Sequence, residues 1–170
     1  MNQRPAARLD ARYSSAGAAP LPWPSALAAV EDAEVYWLVT TRPDGRPHVT
    51  PVIGVWSNGR FHFVTGVREQ KFANLAHDPR CAVVTGTPTL HSGTDVVVQG
   101  TAFRIGDEPE LAMLVERYVE KYGEEWRFEI NGGELGGEGG RCHLFRIEPD
   151  VGYSFQKTEP GGHTRWLFVE

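Results

Sequence analysis

The chain has 170 residues, a formal net charge of −5, 41% hydrophobic residues and 23% charged residues. These fractions are close to globular averages and exclude a disordered, collagen-like or coiled-coil chain. The acidic balance argues against nucleic acid and anionic membranes as partners. Cys81 and Cys142 lie far apart without a metal-binding spacing, and no apolar run approaches the roughly 20 residues of a membrane helix. We therefore expect a cytoplasmic protein that has neither a disulfide nor a metal site.

The N-terminal residues 1–22 mix charged residues with Ala, Ser, Gly and Pro, and they lack the apolar core of a signal peptide. We expect a flexible tail over 1–22 and one domain over 23–170. Pro24 and Ser25 precede an apolar run at 26–30, which predicts a short helix at the start of the domain.

The next segments predict a strand-rich fold. Residues 35–41, 48–56 and 61–65 are rich in β-branched and aromatic side chains and are separated by turn residues, so we predict an antiparallel meander. A helical spacing of apolar residues follows over 68–77. Residues 81–85 and 94–105 predict two more strands, with Gly100 as a bulge or a point of close approach.

The second half of the chain begins with a helix that runs from Asp107 to about Tyr122 and has an apolar face. The glycine-rich residues 131–140 predict irregular structure. Further strands are predicted at 142–147, 152–155 and 165–169. The whole pattern indicates a mainly β fold, a closed sheet with helical inserts.

The common sequence motifs of hydrolases, metalloproteases and nucleotide-binding proteins are absent. The glycine-rich run at 132–140 carries two glutamates and no Lys-Ser/Thr pair, so it favours a mobile loop over a phosphate cradle. The six histidines never fall three or four residues apart, and no local metal pair exists. We assign no catalytic side chain from the sequence.

A group of cations follows the third predicted strand. Thr65 and Gly66 end that strand, and Arg68, Lys71 and Arg80 follow within the predicted helix and its flank. Backbone N–H groups at the start of a helix, a hydroxyl and cations together can hold a phosphate. An ordinary exposed basic helix would show the same spacing, and the spacing alone does not choose between the two.

Several short motifs occur in a fixed order between residues 25 and 170. They are Asp-Gly-Arg-Pro-His-Val-Thr-Pro-Val at 44–52, Phe-Val-Thr-Gly at 63–66, Lys-Phe-Ala-Asn-Leu at 71–75 with Asp-Pro-Arg at 78–80, Gln-Gly-Thr-Ala at 99–102 and Thr-Arg-Trp-Leu-Phe at 164–168. In this order they resemble the FMN/F420-binding split β-barrel proteins related to pyridoxamine 5'-phosphate oxidase. The resemblance departs at Gln99, where the family usually has a glutamate.

The resemblance implies a split β-barrel, FMN-binding type, and a homodimer whose two cofactor sites are each built from both subunits. The cofactor phosphate would contact Thr65, Gly66, Arg68 and Lys71. The ring system would lie near the strand segment Thr50, Pro51 and Val52. Trp166 would lie at the ring edge across the dimer interface, or else serve as a core aromatic that closes the barrel.

The implied chemistry is hydride transfer between N5 of F420 or FMN and a small organic substrate, with F420 slightly favoured. A proton donor is not fixed by the sequence, and water, Tyr153 and His48 are the candidates. One alternative is a non-catalytic flavin- or haem-binding module. A second is haem or biliverdin chemistry, for which His48, His62 or His91 would be the axial ligand.

Overall fold

The structure is a computed structural model that describes residues 5–136 and 140–168. Within these residues the chain forms eleven strands, three α-helices and one short 3-10 helix at Glu124–Trp126. The helices are α1 (Trp23–Asp32), α2 (Gln70–His77) and α3 (Glu108–Tyr122). The strands are β1 (Ala6–Leu9), β2 (Tyr36–Thr41), β3 (Pro47–Val52), β4 (Gly54–Ser57), β5 (Arg60–Gly66), β6 (Arg80–Thr85), β7 (Thr94–Ile105), β8 (Glu129–Asn131), β9 (Glu134–Gly136), β10 (Cys142–Gln156) and β11 (His163–Leu167).

The strands of the described residues form one antiparallel sheet in the order β1-β11-β10-β7-β6-β2-β3. The first half of β10 also pairs with β5, which pairs with β4, while its second half pairs with β11. One long strand therefore belongs to two stretches of sheet, and the sheet curves into a split barrel. The predicted mainly β, split-barrel fold is confirmed.

Two apolar clusters hold the helices against this sheet. The larger cluster joins α1 and α2 to the strands through residues such as Trp23, Leu75 and Phe63, and the smaller one lies beneath α3. Asp107 caps α3 by accepting the amide N–H of Glu110 at 3.0 Å. Local capping and an apolar face explain why this helix was predictable from its own residues.

Gly100 is a point of close approach between β7 and β10, as predicted. A Cβ atom at this position would overlap the carbonyl oxygen of Glu148. The register between the two strands shifts close by, between Pro149 and Val151. A side chain at residue 100 would therefore push the two strands apart.

Three predicted boundaries differ from the structure. Residues 1–22 were expected to be a tail, but β1 pairs with β11 at the edge of the sheet, and the amide of Ser15 donates to the carbonyl of Gly161 at 2.8 Å. The predicted strand at 48–56 is divided into β3 and β4. The predicted strands at 142–147 and 152–155 are one continuous strand, β10.

The glycine-rich segment also differs from its prediction. Residues 131–136 were expected to be irregular, yet β8 and β9 form a hairpin there. Leu135 of this hairpin is buried at 1% exposure, so a single apolar anchor holds a strand in a glycine-rich context. Residues 137–139 of the predicted loop lie outside the described residues, as does residue 169 of the last predicted strand. In the described ranges no helix is long and apolar enough to span a membrane.

Candidate anion-binding site

The β5–α2 loop, residues 65–71, gathers the donors of an anion site. The amide N–H of Gly66 donates to Oε1 of Glu69 at 2.7 Å, and the ammonium group of Lys71 pairs with the other oxygen, Oε2, of the same carboxylate. Thr65 is buried at 1% exposure and its hydroxyl donates to the carbonyl of Gly66 at 3.3 Å. Three of the four predicted phosphate contacts therefore lie together.

The contacts of one carboxylate show which donors this loop offers to an anion. One carboxylate, that of Glu69, already receives a backbone N–H and an ammonium group, each on a different oxygen. Those two oxygens stand in for two oxygens of a phosphate, which uses the same kinds of donor. The side chain of Lys71 is 8% exposed, and this burial lowers its pKa, so a neighbouring anion stabilises its charged form.

The other two predicted cations lie differently. Arg68 is exposed in the loop, where its charge is available to a ligand at the surface. Arg80, grouped with Lys71 by sequence, lies beyond the C-terminal end of α2 and donates to Asp78 through Nε at 2.9 Å and Nη2 at 2.7 Å. Arg80 is therefore part of a separate surface ion pair and does not belong to the anion site.

A series of hydrogen bonds connects α2 to the ends of β2 and β3. Arg42 Nη1 donates to Gln70 Oε1 at 3.4 Å, and Gln70 Nε2 donates to Asn74 Oδ1 at 2.8 Å. Asn74 Nδ2 then donates to the hydroxyl oxygen of Thr40 at 2.9 Å, which lies 3.4 Å from Nδ1 of His48. The network runs from the exposed Gln70 to the buried Thr40 and Asn74, whose side chains satisfy each other inside the barrel.

The network extends to His48. The hydroxyl group of Thr40, which accepts from Asn74, lies 3.4 Å from Nδ1 of the His48 ring. Burial lowers the pKa of His48, and the nearby charges of Arg42 and Lys71 lower it further. The surroundings of His48, including these two cations, therefore favour its neutral form.

The predicted ring-binding segment occupies β3, which pairs only with β2 among the described strands and is therefore an edge. Thr50 lies opposite the buried Leu38 and shares its inward face, whereas Pro51 lies opposite the exposed Trp37 on the outer face. Val52 is buried at 7% exposure. The three residues therefore do not form one surface: Thr50 faces the barrel, Val52 belongs to the core and Pro51 faces outward.

Trp166 lies in the core. It is 0% exposed, its Nε1 donates to the carbonyl of Leu21 at 3.2 Å, and its ring packs edge-on against Trp23. A ligand cannot reach the Trp166 ring in this arrangement. The structure supports the core-aromatic alternative for this residue over a place at the ring edge.

Sequence reasoning missed four residues of the site, Thr40, Arg42, Glu69 and Asn74. The signal for Asn74 in the sequence is its place in the Lys-Phe-Ala-Asn-Leu motif, and the structure shows that its side chain is fully buried. Thr40 and Asn74 are 34 residues apart in the chain, so nothing in either local sequence predicts their hydrogen bond.

A metal centre and a groove in the surface are two other kinds of site that a fold can offer. Over residues 5–136 and 140–168 no group of three or more His, Cys, Asp or Glu side chains is placed to hold a metal ion. A groove of about 190 Å³ lies between α1, β4 and α3, and its lining includes Trp56 and Lys121 but none of the loop residues 65–71. The β5–α2 loop and the adjoining network, which bring the described donors together, are the candidate site.

Comparisons with known proteins support the same fold. The family model described as pyridoxamine 5'-phosphate oxidase matches residues 23–155. Conserved hypothetical protein Rv2991 from Mycobacterium tuberculosis is 20% identical, with a TM-score of 0.66 over 81% of this chain and 86% of that one. A haem-binding protein from Mycobacterium smegmatis is 17% identical, with a TM-score of 0.62 over 81% of this chain and 53% of that one.

A protein described as an F420 reductase is 19% identical, with a TM-score of 0.56 over 74% of this chain and 93% of that one. No protein with a curated description matches the sequence significantly. At these identities the structural matches establish the fold alone.

Proposed function

Because the chain belongs to the pyridoxamine 5'-phosphate oxidase family, we propose that it is an oxidoreductase that binds F420 or FMN and acts on a small organic substrate. The β5–α2 loop carries this proposal, since Gly66 and Lys71 already bind a carboxylate as they would bind a phosphate. The similar fold of an F420 reductase supports the slight preference for F420. A bound flavin or deazaflavin would supply the hydride chemistry.

The residues of the chain would bind and orient this cofactor. Thr65, Gly66 and Lys71 would hold the phosphate, and Arg68 would add attraction from the surface. The ring would lie along the edge strand β3, on the side of Thr50. The neutral N–H of His48 would donate to a ligand oxygen and stabilise negative charge that develops there, without having to ionise itself.

We propose that the protein is a homodimer with the outer face of the sheet as its interface. Trp37 is 51% exposed and Val49 is 55% exposed, and the strands beside them present more apolar side chains on the same face. The cross-strand neighbours that share this face include Pro51, Val84, Val97, Val39, Ala82, Val151 and Leu167. The polar Gln99 lies between Ala82 and Val151 on this face, so the apolar patch is centred on Trp37 and Val49 and their neighbours in β2, β3, β6 and β7. An exposed apolar patch of this kind marks a protein interface, and a second copy of the chain would cover it.

The first test is a fluorescence titration of the protein with F420, FMN and riboflavin in parallel. We expect F420 or FMN to bind more tightly than riboflavin, which has no phosphate. Lys71→Ala should weaken binding of the phosphate-bearing ligand by about 1–3 kcal/mol, or roughly 5- to 150-fold, because a charge-assisted contact is lost. Arg80→Ala is the control, since Arg80 already pairs with Asp78. Equal effects of the two variants would remove Lys71 from the site.

The second test is turnover. A reduced cofactor should be consumed in the presence of an electron-poor acceptor if the protein is an enzyme, whereas tight binding without turnover would make it a binding module. Haem binding is the other candidate, favoured by the fold match to a haem-binding protein. His62 is 2% exposed and unsuited to ligate a haem, which leaves His48 or His91 as the ligand. Either His48→Ala or His91→Ala should then abolish a haem absorption band.

A further inference from the structure

Glu69 occupies the donors that a phosphate would use. Its Oε1 accepts from the amide of Gly66 at 2.7 Å, and its Oε2 pairs with Lys71. We propose that Glu69 is an internal competitor: a phosphate-bearing ligand binds Gly66 and Lys71 only by displacing the Glu69 carboxylate, so Glu69 sets the affinity of the site for such ligands. This inference rests on the proposed function only for the identity of the natural ligand.

The exposure of the two partners determines which one moves. The side chain of Lys71 is 8% exposed and that of Glu69 is 49% exposed. The carboxylate can turn out into water at little cost, whereas the ammonium group stays where it is. A buried cation without a partner is unfavourable, so the Glu69 carboxylate separates from Lys71 only when another anion takes its place. The site therefore exchanges one anion for another.

The ordinary structural explanation predicts the opposite result. The amide of Glu69 also donates to the carbonyl of Gly66 at 3.1 Å, so the two residues close a turn that begins α2. If Glu69 served only to hold this turn, its loss would loosen the loop and weaken anion binding. Glu69→Gln separates the two roles, because glutamine keeps an oxygen that accepts from Gly66 and lacks the negative charge.

The experiment compares FMN and riboflavin binding to the wild-type protein and to Glu69→Gln. We expect FMN to bind Glu69→Gln about 3- to 10-fold more tightly than it binds the wild type, because one half-exposed ion pair no longer has to be broken. Riboflavin, which makes no phosphate contact, should change by less than about 2-fold. Glu120→Gln is the matched control, since Glu120 is an exposed glutamate on α3 and the change in net charge is the same.

A second arm uses sulfate, whose charge is constant near neutral pH, and follows the backbone amide of Gly66 by NMR. Sulfate should bind Glu69→Gln more tightly than the wild type by a similar factor, with sodium chloride at equal ionic strength as the reference. If neither FMN nor F420 binds any variant while this gain remains, the proposed function fails and the role of Glu69 is supported.

The inference is overturned if Glu69→Gln binds sulfate as tightly as the wild type or less tightly. It is also overturned if neither the wild type nor Glu69→Gln binds sulfate. Thermal unfolding confirms that the variant is folded. Glu69→Ser, which also removes the charge, is measured in the same way if the glutamine variant does not fold. Its tighter binding of sulfate would support the competitor role, and its weaker or unchanged binding would refute it.

Discussion

His62 should make the protein lose stability as the pH falls from neutral. Its side chain lies on β5 at 2% exposure, and burial lowers its pKa from 6.5 to about 4, with a smaller contribution from the charges of Arg60 and Arg146. Between these two values the unfolded chain binds a proton at His62 and the folded chain does not. The free energy of unfolding therefore falls as the pH is lowered through this window, and the full contribution is present above it.

The size of the effect follows from the width of the window. One pKa unit corresponds to about 1.4 kcal/mol, and acidification from pH 7 to about pH 4.5 crosses most of the difference, so His62 alone should cost about 2–3 kcal/mol. His62 is almost completely buried, so solvent does not screen this effect as it would for a surface histidine.

The assay is urea unfolding followed by tryptophan fluorescence at several pH values between about 4.5 and 7. His62→Gln is a polar replacement that does not titrate, so its free energy of unfolding should fall by about 2–3 kcal/mol less than that of the wild type over this range. The exposed His91 provides the control, and His91→Gln should follow the wild-type pH dependence. The slope is compared, since burial of a glutamine also changes the absolute stability. Parallel pH curves for the wild type and His62→Gln would refute the reasoning.

Two further predictions concern strand packing and assembly. Gly100→Ala should lower the free energy of unfolding by about 1–3 kcal/mol in the same urea assay, because its methyl group would overlap the carbonyl of Glu148. Gly136→Ala is the control and should change the free energy of unfolding much less, because a Cβ there would have no atom nearer than 3.8 Å. Equal losses in the two variants would contradict the packing argument. Trp37→Glu should convert the proposed dimer to a monomer, as measured by light scattering. Met113→Glu, at a 40% exposed position on α3, is the control and should remain a dimer. A wild-type protein that is itself a monomer would contradict the proposed interface.

The elements that could be predicted from the sequence are those specified by neighbouring residues. The helix α3 begins at an Asp107 cap and ends before Gly123, which has a φ of 101°, so both limits are determined within its own segment. The hairpin of β2 and β3 follows from the turn at Asp44 and Gly45. Local rules suffice for such elements.

The elements that could not be predicted depend on distant partners. The strand β1 has no marked pattern of its own and exists because it completes the edge of β11, more than 150 positions later in the chain. For the site, Lys71 was found through a motif, but the bond from Asn74 to Thr40 and the position of Trp166 in the core depend on how the barrel closes. Glu69 was not identified from the sequence, because its contacts with Gly66 and Lys71 depend on how the β5–α2 loop folds.

The edge strand β3 links the proposed site to the proposed interface. Pro47 and Pro51 have no backbone N–H group, so β3 carries fewer donors than an ordinary edge strand. Such an edge is a poor template for pairing with another strand. A second subunit covering Trp37 would pack across Pro51, one residue from Thr50 on the inner face. Assembly and ring binding would then be coupled through this strand, and a monomeric Trp37→Glu variant should lose affinity for FMN and riboflavin alike, in contrast to Lys71→Ala, which should affect FMN alone.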